Sequence, residues 1–302
     1  IDKIRIALTY GYNGINASKV YGAESIMSKL TPFFQIGLFS LMMAEKNNKR
    51  SKRILIFILF FYGSQMLYGG RGRVLLTLVA ALWLYNLNVK RFSRKALVIC
   101  LILIIPISSV INFVRVARHF GVKNWDSISI STSQNPILES FYEMGEAIVP
   151  TAYIVENVPD KQPFKYGVTY VMGLLSPVVF NNSTNNMSFR MNIAQQMSRL
   201  ASSAFGGSYI EEAYGNFGWY SPLFMIVLGV LLEILRKKIK LRKSGINSVL
   251  VAFFLIALLW TIRNTIVELP RDIVWYMLPT YLLYQSILNR VKKEKRNGLQ
   301  KG

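Results

Sequence analysis

The sequence predicts an all-α, polytopic integral membrane fold. Three observations predict it: 52% of the 302 residues are hydrophobic against 17% charged, the apolar residues gather in seven long stretches, and basic clusters separate those stretches at every second connection. A mean hydropathy of +0.31 is too apolar for a soluble domain of this size. The formal net charge of +21 and pI of 10.1 would suit a nucleic-acid partner only if a folded soluble domain carried the charge on one face. Here the charges sit between apolar runs, so no nucleic acid is expected. One cysteine rules out an intramolecular disulfide, and one histidine rules out a multi-histidine metal site. The chain starts at Ile1 without a signal-peptide pattern, which leads us to expect an N-terminally truncated protein whose earlier spans are missing.

The seven apolar stretches are residues 26–44, 54–70, 74–89, 96–114, 217–235, 247–263 and 273–289, each near the ~17–25 residues a bilayer crossing needs. Between them lie Lys46, Lys49, Arg50, Lys52 and Arg53; then Lys90, Arg91, Arg94 and Lys95; then residues 236–243; and finally residues 290–301. These four clusters hold 21 basic residues and only Glu45, Glu233 and Glu294 accompany them, a balance of +18, while the rest of the chain holds 15 basic and 12 acidic, a balance of +3. Basic loops face the cytoplasm, so the high pI is a topology signal. The layout that follows has an extracytoplasmic segment (residues 1–25), four transmembrane helices (26–114), a large extracytoplasmic loop (115–216), three more transmembrane helices (217–289) and a basic cytoplasmic tail (290–302).

The outer loop exceeds what a bare connection needs, which marks it as functional. Residues 136–159 carry Glu139, Glu143 and Glu146 at helical spacing among apolar residues, as an amphipathic helix lying on the membrane would. Residues 166–180 are apolar but short, suiting an interfacial or re-entrant element. Were they to span, residues 136–157 would have to span too, burying three glutamates, and the chain would have nine spans.

No internal repeat, Walker-type loop, G-x-S-x-G elbow, H-E-x-x-H or D-x-D pair is present. Against the usual bias, arginines occupy the outer ends of spans. Gly69-Gly70-Arg71-Gly72-Arg73 leads into an outward-facing helix N-terminus, where free N–H groups and two guanidinium forks suit phosphate; the alternative is a tight turn with snorkelling arginines. Arg115, Arg118 and His119 share one helical face, although arginines at a helix C-terminus also answer its dipole and a lone histidine is commonly structural. Arg263 ends the sixth stretch without an adjacent acid, whereas Arg271 and Asp272 suit a local ion pair. Ser208 with Glu211 has the capping-box spacing, leaving Glu212 without that explanation; it lies at a helix mouth beside Tyr214 and Asn216, either complementing the dipole or serving function.

The chain resembles the Wzy-type oligosaccharide repeat-unit polymerases, relatives of the O-antigen ligases. Four pieces carry the resemblance: Gly69-Gly70-Arg71-Gly72-Arg73; Phe141-Tyr142-Glu143-Met144-Gly145 with Pro150-Thr151; Tyr166-Gly167-Val168-Thr169-Tyr170; and Glu212-Ala213-Tyr214-Gly215-Asn216-Phe217-Gly218. The resemblance implies a GT-C-like membrane glycosyltransferase of the bacterial cytoplasmic membrane, with its active site facing the periplasm. It would polymerise polyprenyl-pyrophosphate-linked oligosaccharide repeat units into O-antigen or capsular polysaccharide. A pyrophosphate leaves as a stable anion and needs arginine stabilisation rather than a general acid. Arg71, Arg73, Arg115, Arg118 and Arg263 would then bind pyrophosphate, with Tyr214 and Asn216 as further substrate-binding residues. Glu212 leads as the base, followed by His119, Glu143 and Glu146. No metal and no cofactor is expected; the expected partners are the lipid-linked donor and acceptor, the bilayer and a chain-length regulator protein. A ligase would use the same arginines on another acceptor. A flippase of lipid-linked sugars would show midplane ionisable groups and inverted repeats, which are not seen.

Overall fold

The computed structural model describes residues 23–45, 47–65, 71–88, 91–93, 95, 148–175, 177–178, 208–238, 245–263, 266 and 268–299. Among the described residues every regular element is helical, in agreement with the all-α expectation: α1 (Ala23–Ala44), α2 (Asn48–Gln65), α3 (Arg71–Asn88), α4 (Val149–Asn157), α5 (Val168–Leu175), α6 (Tyr209–Phe217), α7 (Ser221–Lys238), α8 (Ile246–Trp260), α9 (Glu268–Asp272) and α10 (Leu278–Leu299). A 3-10 turn, Gly218–Tyr220, joins α6 to α7; another, Thr261–Arg263, follows α8; and a π-helical segment, Ile273–Met277, joins α9 to α10. The chain divides into two compact units, residues 1–31 with 41–149 and residues 32–40 with 150–302.

In the first unit α2 packs against α3. The buried residues of α2 are Ser51, Leu55, Ile58 and Tyr62, spaced so that they line one face, and Val74, Thr77, Ala81 and Leu84 do the same on α3. The opposite faces carry exposed Ile56, Phe57, Phe60, Leu75 and Val79. The turn from α1 into α2 is closed locally. Asn47 Oδ1 accepts the Lys49 N–H at 2.9 Å as a helix cap, and the buried Ser51 hydroxyl donates to the carbonyls of Met42 and Glu45. The basic residues Lys49 to Arg53, expected in a connection, therefore belong to the opening turns of α2; the cap at Asn47 starts the helix ahead of the apolar stretch.

In the second unit α8 is nearly filled with core residues: Val249, Leu250, Ala252, Phe253, Ile256 and Ala257 are buried. Phe253 meets the Tyr276 ring edge-on at 6.2 Å, and Tyr276 meets Phe33 of α1 at 5.2 Å. By contrast, α7 exposes Leu223, Ile226, Val227, Val230, Leu231 and Ile234. The stretch Tyr209–Ile234, 26 residues, is the one helix among the described residues long and apolar enough to cross a membrane; Gly72–Leu87 and Ile246–Trp260 are shorter apolar helices. The expected stretch 217–235 thus starts earlier, at Tyr209, because Ser208 caps the helix there. The expected stretch 96–114 lies outside the described residues, as do residues 136–147 of the amphipathic segment, whose later part forms α4. α5 is the helix within the expected interfacial element, and α10 continues to Leu299, into the basic tail.

Phe253→Ala should cost about 3–5 kcal/mol through the cavity it leaves against Tyr276, read as a lowered thermal midpoint of the purified protein. Leu255→Ala, on the exposed face of the same helix, should stay within about 0.5 kcal/mol of wild type.

Candidate functional site

The site is built on α6, most of which is buried. Ser208, with extended backbone, is the N-cap, and its hydroxyl accepts the Ile210 N–H at 3.2 Å, so the expected cap forms. Residues 211–216 are all buried, including Glu211 and Glu212. Carboxylates inside protein persist only where partners repay their lost hydration. Glu212 is 6% exposed, and its Oε2 accepts the backbone N–H of Ile266 at 2.9 Å, from the connection between Arg263 and α9. The Thr169 side chain stands beside the same carboxylate. The other oxygen, Oε1, is buried and accepts no hydrogen bond among the described residues.

A second buried polar atom without a partner among the described residues is the Tyr170 hydroxyl. The Tyr170 ring stacks on Phe224 at 4.6 Å and on Phe217 at 5.9 Å, which fixes its plane. Burial, and then the nearby Glu212 charge, push its phenol well above the usual tyrosine range, so it stays protonated and can donate. Glu212 Oε1 and the Tyr170 hydroxyl are thus two buried polar atoms of one neighbourhood without a partner among the described residues.

Asn216 binds this neighbourhood together. It is fully buried, and its Oδ1 accepts the Gly167 N–H at 2.9 Å, while its Nδ2 donates to Thr169 Oγ1 at 2.6 Å and to the Glu212 carbonyl at 2.7 Å. The backbone adds Lys165 N–H to Gly215 O at 3.0 Å and Tyr166 N–H to Asn216 O at 3.1 Å. Two of the sequence pieces singled out above, residues 166–170 and 212–218, are therefore laid against each other.

Backbone conformation tightens the junction. Gly218 ends α6 at φ +56°, and a Cβ there would fall 2.8 Å from the Phe164 ring. Phe164 packs on the buried cluster of Ile154, Val158 and Tyr214. Tyr166 also has a left-handed backbone, φ 48°, which costs a bulky side chain about 1 kcal/mol or more.

The expected site residues are distributed as follows. Glu212, Tyr214 and Asn216 come together as neighbours on α6; Tyr214 and Asn216 are both buried, in contacts that hold residues 164–169. Arg71 opens α3 and Arg73 follows in its first turn, which contains no acidic residue. Arg263 closes the 3-10 turn after α8. Arg271 pairs with Glu268 at 3.6 Å, a partly exposed pair of small energetic weight. Arg115, Arg118, His119, Glu143 and Glu146 lie outside the described residues. Sequence reasoning gave no role to Thr169, Tyr170 or the Ile266 N–H. The first two stood inside a singled-out motif, whereas a backbone donor leaves no sequence signal. Among the described residues no group of three potential metal ligands occurs.

Gly218→Ala should cost about 2 kcal/mol or more, from the strained φ and the collision with Phe164. Gly229→Ala, on α7 with open space around it, should be neutral or slightly stabilising, and thermal unfolding of the two variants checks the contrast.

No curated protein and no solved structure matches the chain. A family model described as O-antigen polysaccharide polymerase Wzy matches residues 1–295, nearly the whole chain. The all-helical architecture, the apolar stretch Tyr209–Ile234 and the family match agree, and the chain belongs to the O-antigen polysaccharide polymerase Wzy family of integral inner-membrane proteins, which act on lipid-linked oligosaccharide repeat units.

Proposed function

We propose that the chain transfers a growing glycan from polyprenyl pyrophosphate to the terminal sugar of an incoming lipid-linked repeat unit, on the outer face of the cytoplasmic membrane, building O-antigen or capsular polysaccharide. The observation that carries this reading is the buried Glu212, anchored through Oε2 to Ile266 while Oε1 is left without a partner among the described residues. An acceptor hydroxyl meeting Oε1 gives up its proton as its oxygen attacks the donor's anomeric carbon. The bond from that carbon to the pyrophosphate oxygen breaks, and the lipid pyrophosphate leaves with the electron pair. In this reading Tyr170, held protonated, donates to the same acceptor. Tyr214 and Asn216 act by positioning Glu212 and the 166–170 segment.

Arg71, Arg73, Arg115, Arg118 and Arg263 bind the pyrophosphate in this reading and take the place of a metal; His119 and Glu143 are the reserve candidates for the base. The support for Arg71 and Arg73 is their position in the first turn of α3, where the positive end of the helix dipole also favours an anion. The seven-span layout rests on the charge pattern and the GT-C-like architecture on the family resemblance, and a chain-length regulator is the expected protein partner.

Polymerisation of purified lipid-linked repeat units, read as a ladder on a gel, tests the chemistry. Glu212→Gln should lower turnover by roughly 10²–10⁴ with expression retained. Arg→Lys at the pyrophosphate positions should impair it, because an ammonium lacks the planar fork. Excess chelator should leave the wild type active. A fully active Glu212→Gln enzyme rejects the base, and activity lost to chelator and restored by magnesium rejects metal independence.

Cysteines at positions 127 and 93 in a background lacking Cys100 test the topology. An impermeant thiol reagent added to intact cells should label the first and spare the second; equal labelling of both rejects the layout.

A further inference from the structure

Several helical threonines of this protein give their hydroxyl proton back to their own helix. Thr77 donates to the Arg73 carbonyl at 2.8 Å, Thr280 to the Tyr276 carbonyl at 2.7 Å and Thr261 to the Leu258 carbonyl at 2.6 Å. Thr169, in the first turn of α5, does otherwise. Four residues back, the Lys165 carbonyl takes the Val168 N–H at 2.9 Å, and among the described residues the Thr169 hydroxyl donates to no carbonyl.

Asn216 decides where that proton turns. A backbone N–H only donates, so the Asn216 atom that meets Gly167 at 2.9 Å is the amide oxygen. The amide nitrogen then points to Thr169 Oγ1 at 2.6 Å and to the Glu212 carbonyl at 2.7 Å. An amide nitrogen accepts nothing, so Thr169 is the acceptor of that bond and keeps its own proton for another group. Thr169 is 4% exposed, which shuts out bulk water, and the anionic group at its side is the Glu212 carboxylate.

We propose that Thr169 is a positioning residue for the glycosyl transfer: its hydroxyl, turned by Asn216, donates to the Glu212 carboxylate and holds that base in plane for the acceptor hydroxyl. The Ile266 N–H fixes Oε2, Thr169 supplies a second donor, and Oε1 takes the acceptor's proton. A charged acceptor makes this the stronger kind of hydrogen bond. The inference rests on the reading of Glu212 as the base and adds the group that orients it.

The test compares Thr169→Ser, which keeps the hydroxyl, with Thr169→Val, which keeps the shape and loses it, in the full chain in lipid nanodiscs. In polymerisation of lipid-linked repeat units Thr169→Val should lower kcat by roughly 10–100-fold and leave KM for the acceptor within about twofold, while Thr169→Ser retains most of the rate. Valine also strands an N–H of Asn216, so general loosening of the site would imitate part of this effect. The Glu212→Gln background separates the two causes. There Thr169→Val should cost less than about threefold, because the carboxylate it serves is gone, whereas loosening costs the same factor in both backgrounds.

A second readout needs no turnover. The carboxylate stretch of Glu212, isolated as the infrared difference between wild type and Glu212→Gln, should move in Thr169→Val and stay in place in Thr169→Ser. Equal factors in both backgrounds, a Thr169→Ser enzyme as slow as Thr169→Val, or a band unmoved by Thr169→Val overturns the positioning role and leaves Glu212 as the base. A fully active Glu212→Gln enzyme overturns the base and the positioning role together, and a band that still moves then marks the contact as structural.

Discussion

The buried amide of Asn216 is the contact on which the described site depends. One side chain accepts from Gly167, donates to Thr169 and donates to the Glu212 carbonyl, so it settles at once where α5 begins, how the Thr169 hydroxyl turns and how α6 ends. An aspartate in its place would keep the acceptor and lose both donors, and a leucine would strand the Gly167 N–H in the interior. The network is satisfied around its hub. At its edge, Glu212 Oε1 and the Tyr170 hydroxyl have no partner among the described residues. The proposed site uses that division: committed groups supply rigidity, uncommitted ones supply the contact.

The helix that carries Glu212 also shows how one apolar run serves two solvents. Tyr209–Ile234 reads as a single candidate span, yet α6 buries residues 211–216 against protein, whereas α7 turns its apolar side chains outward. The 3-10 turn Gly218–Tyr220 divides them. On α6 the backbone N–H of Ile266 meets the Glu212 carboxylate inside the protein. The charges of α7 gather toward its end instead, at Glu233 and residues 236–238. The turn therefore separates a segment that buries carboxylates within protein from one that turns apolar side chains outward.

This division explains what the sequence made legible and what it did not. Helical class and the approximate positions of α1, α2, α3, α7 and α8 follow from apolar runs, because a lipid or protein interior imposes the same demand on every residue of a run. The cap at Ser208 follows from local chemistry. The partner of Glu212 lies 54 residues away and is a backbone N–H, which any residue at position 266 except proline would supply. The left-handed Tyr166 contradicts the local preference that would place glycine there, so it reads as an ordinary aromatic until the backbone is seen. Two of the resemblance pieces, residues 166–170 and 212–218, were visible in the sequence; that Asn216 joins them was not, because its bonds to Gly167 and Thr169 are set by tertiary position.

The arginines of α3 follow the same logic in the first unit. A helix start normally gathers acidic residues, since its free N–H groups form the positive end of the dipole. α3 begins instead with Arg71 and Arg73, and its first turn holds no acidic residue. An anion suits such an end, because guanidinium groups and the positive end of a helix dipole attract the same charge. The proposed pyrophosphate contact therefore asks of α3 what the dipole of a helix start already favours, and adds the fork geometry that a dipole lacks.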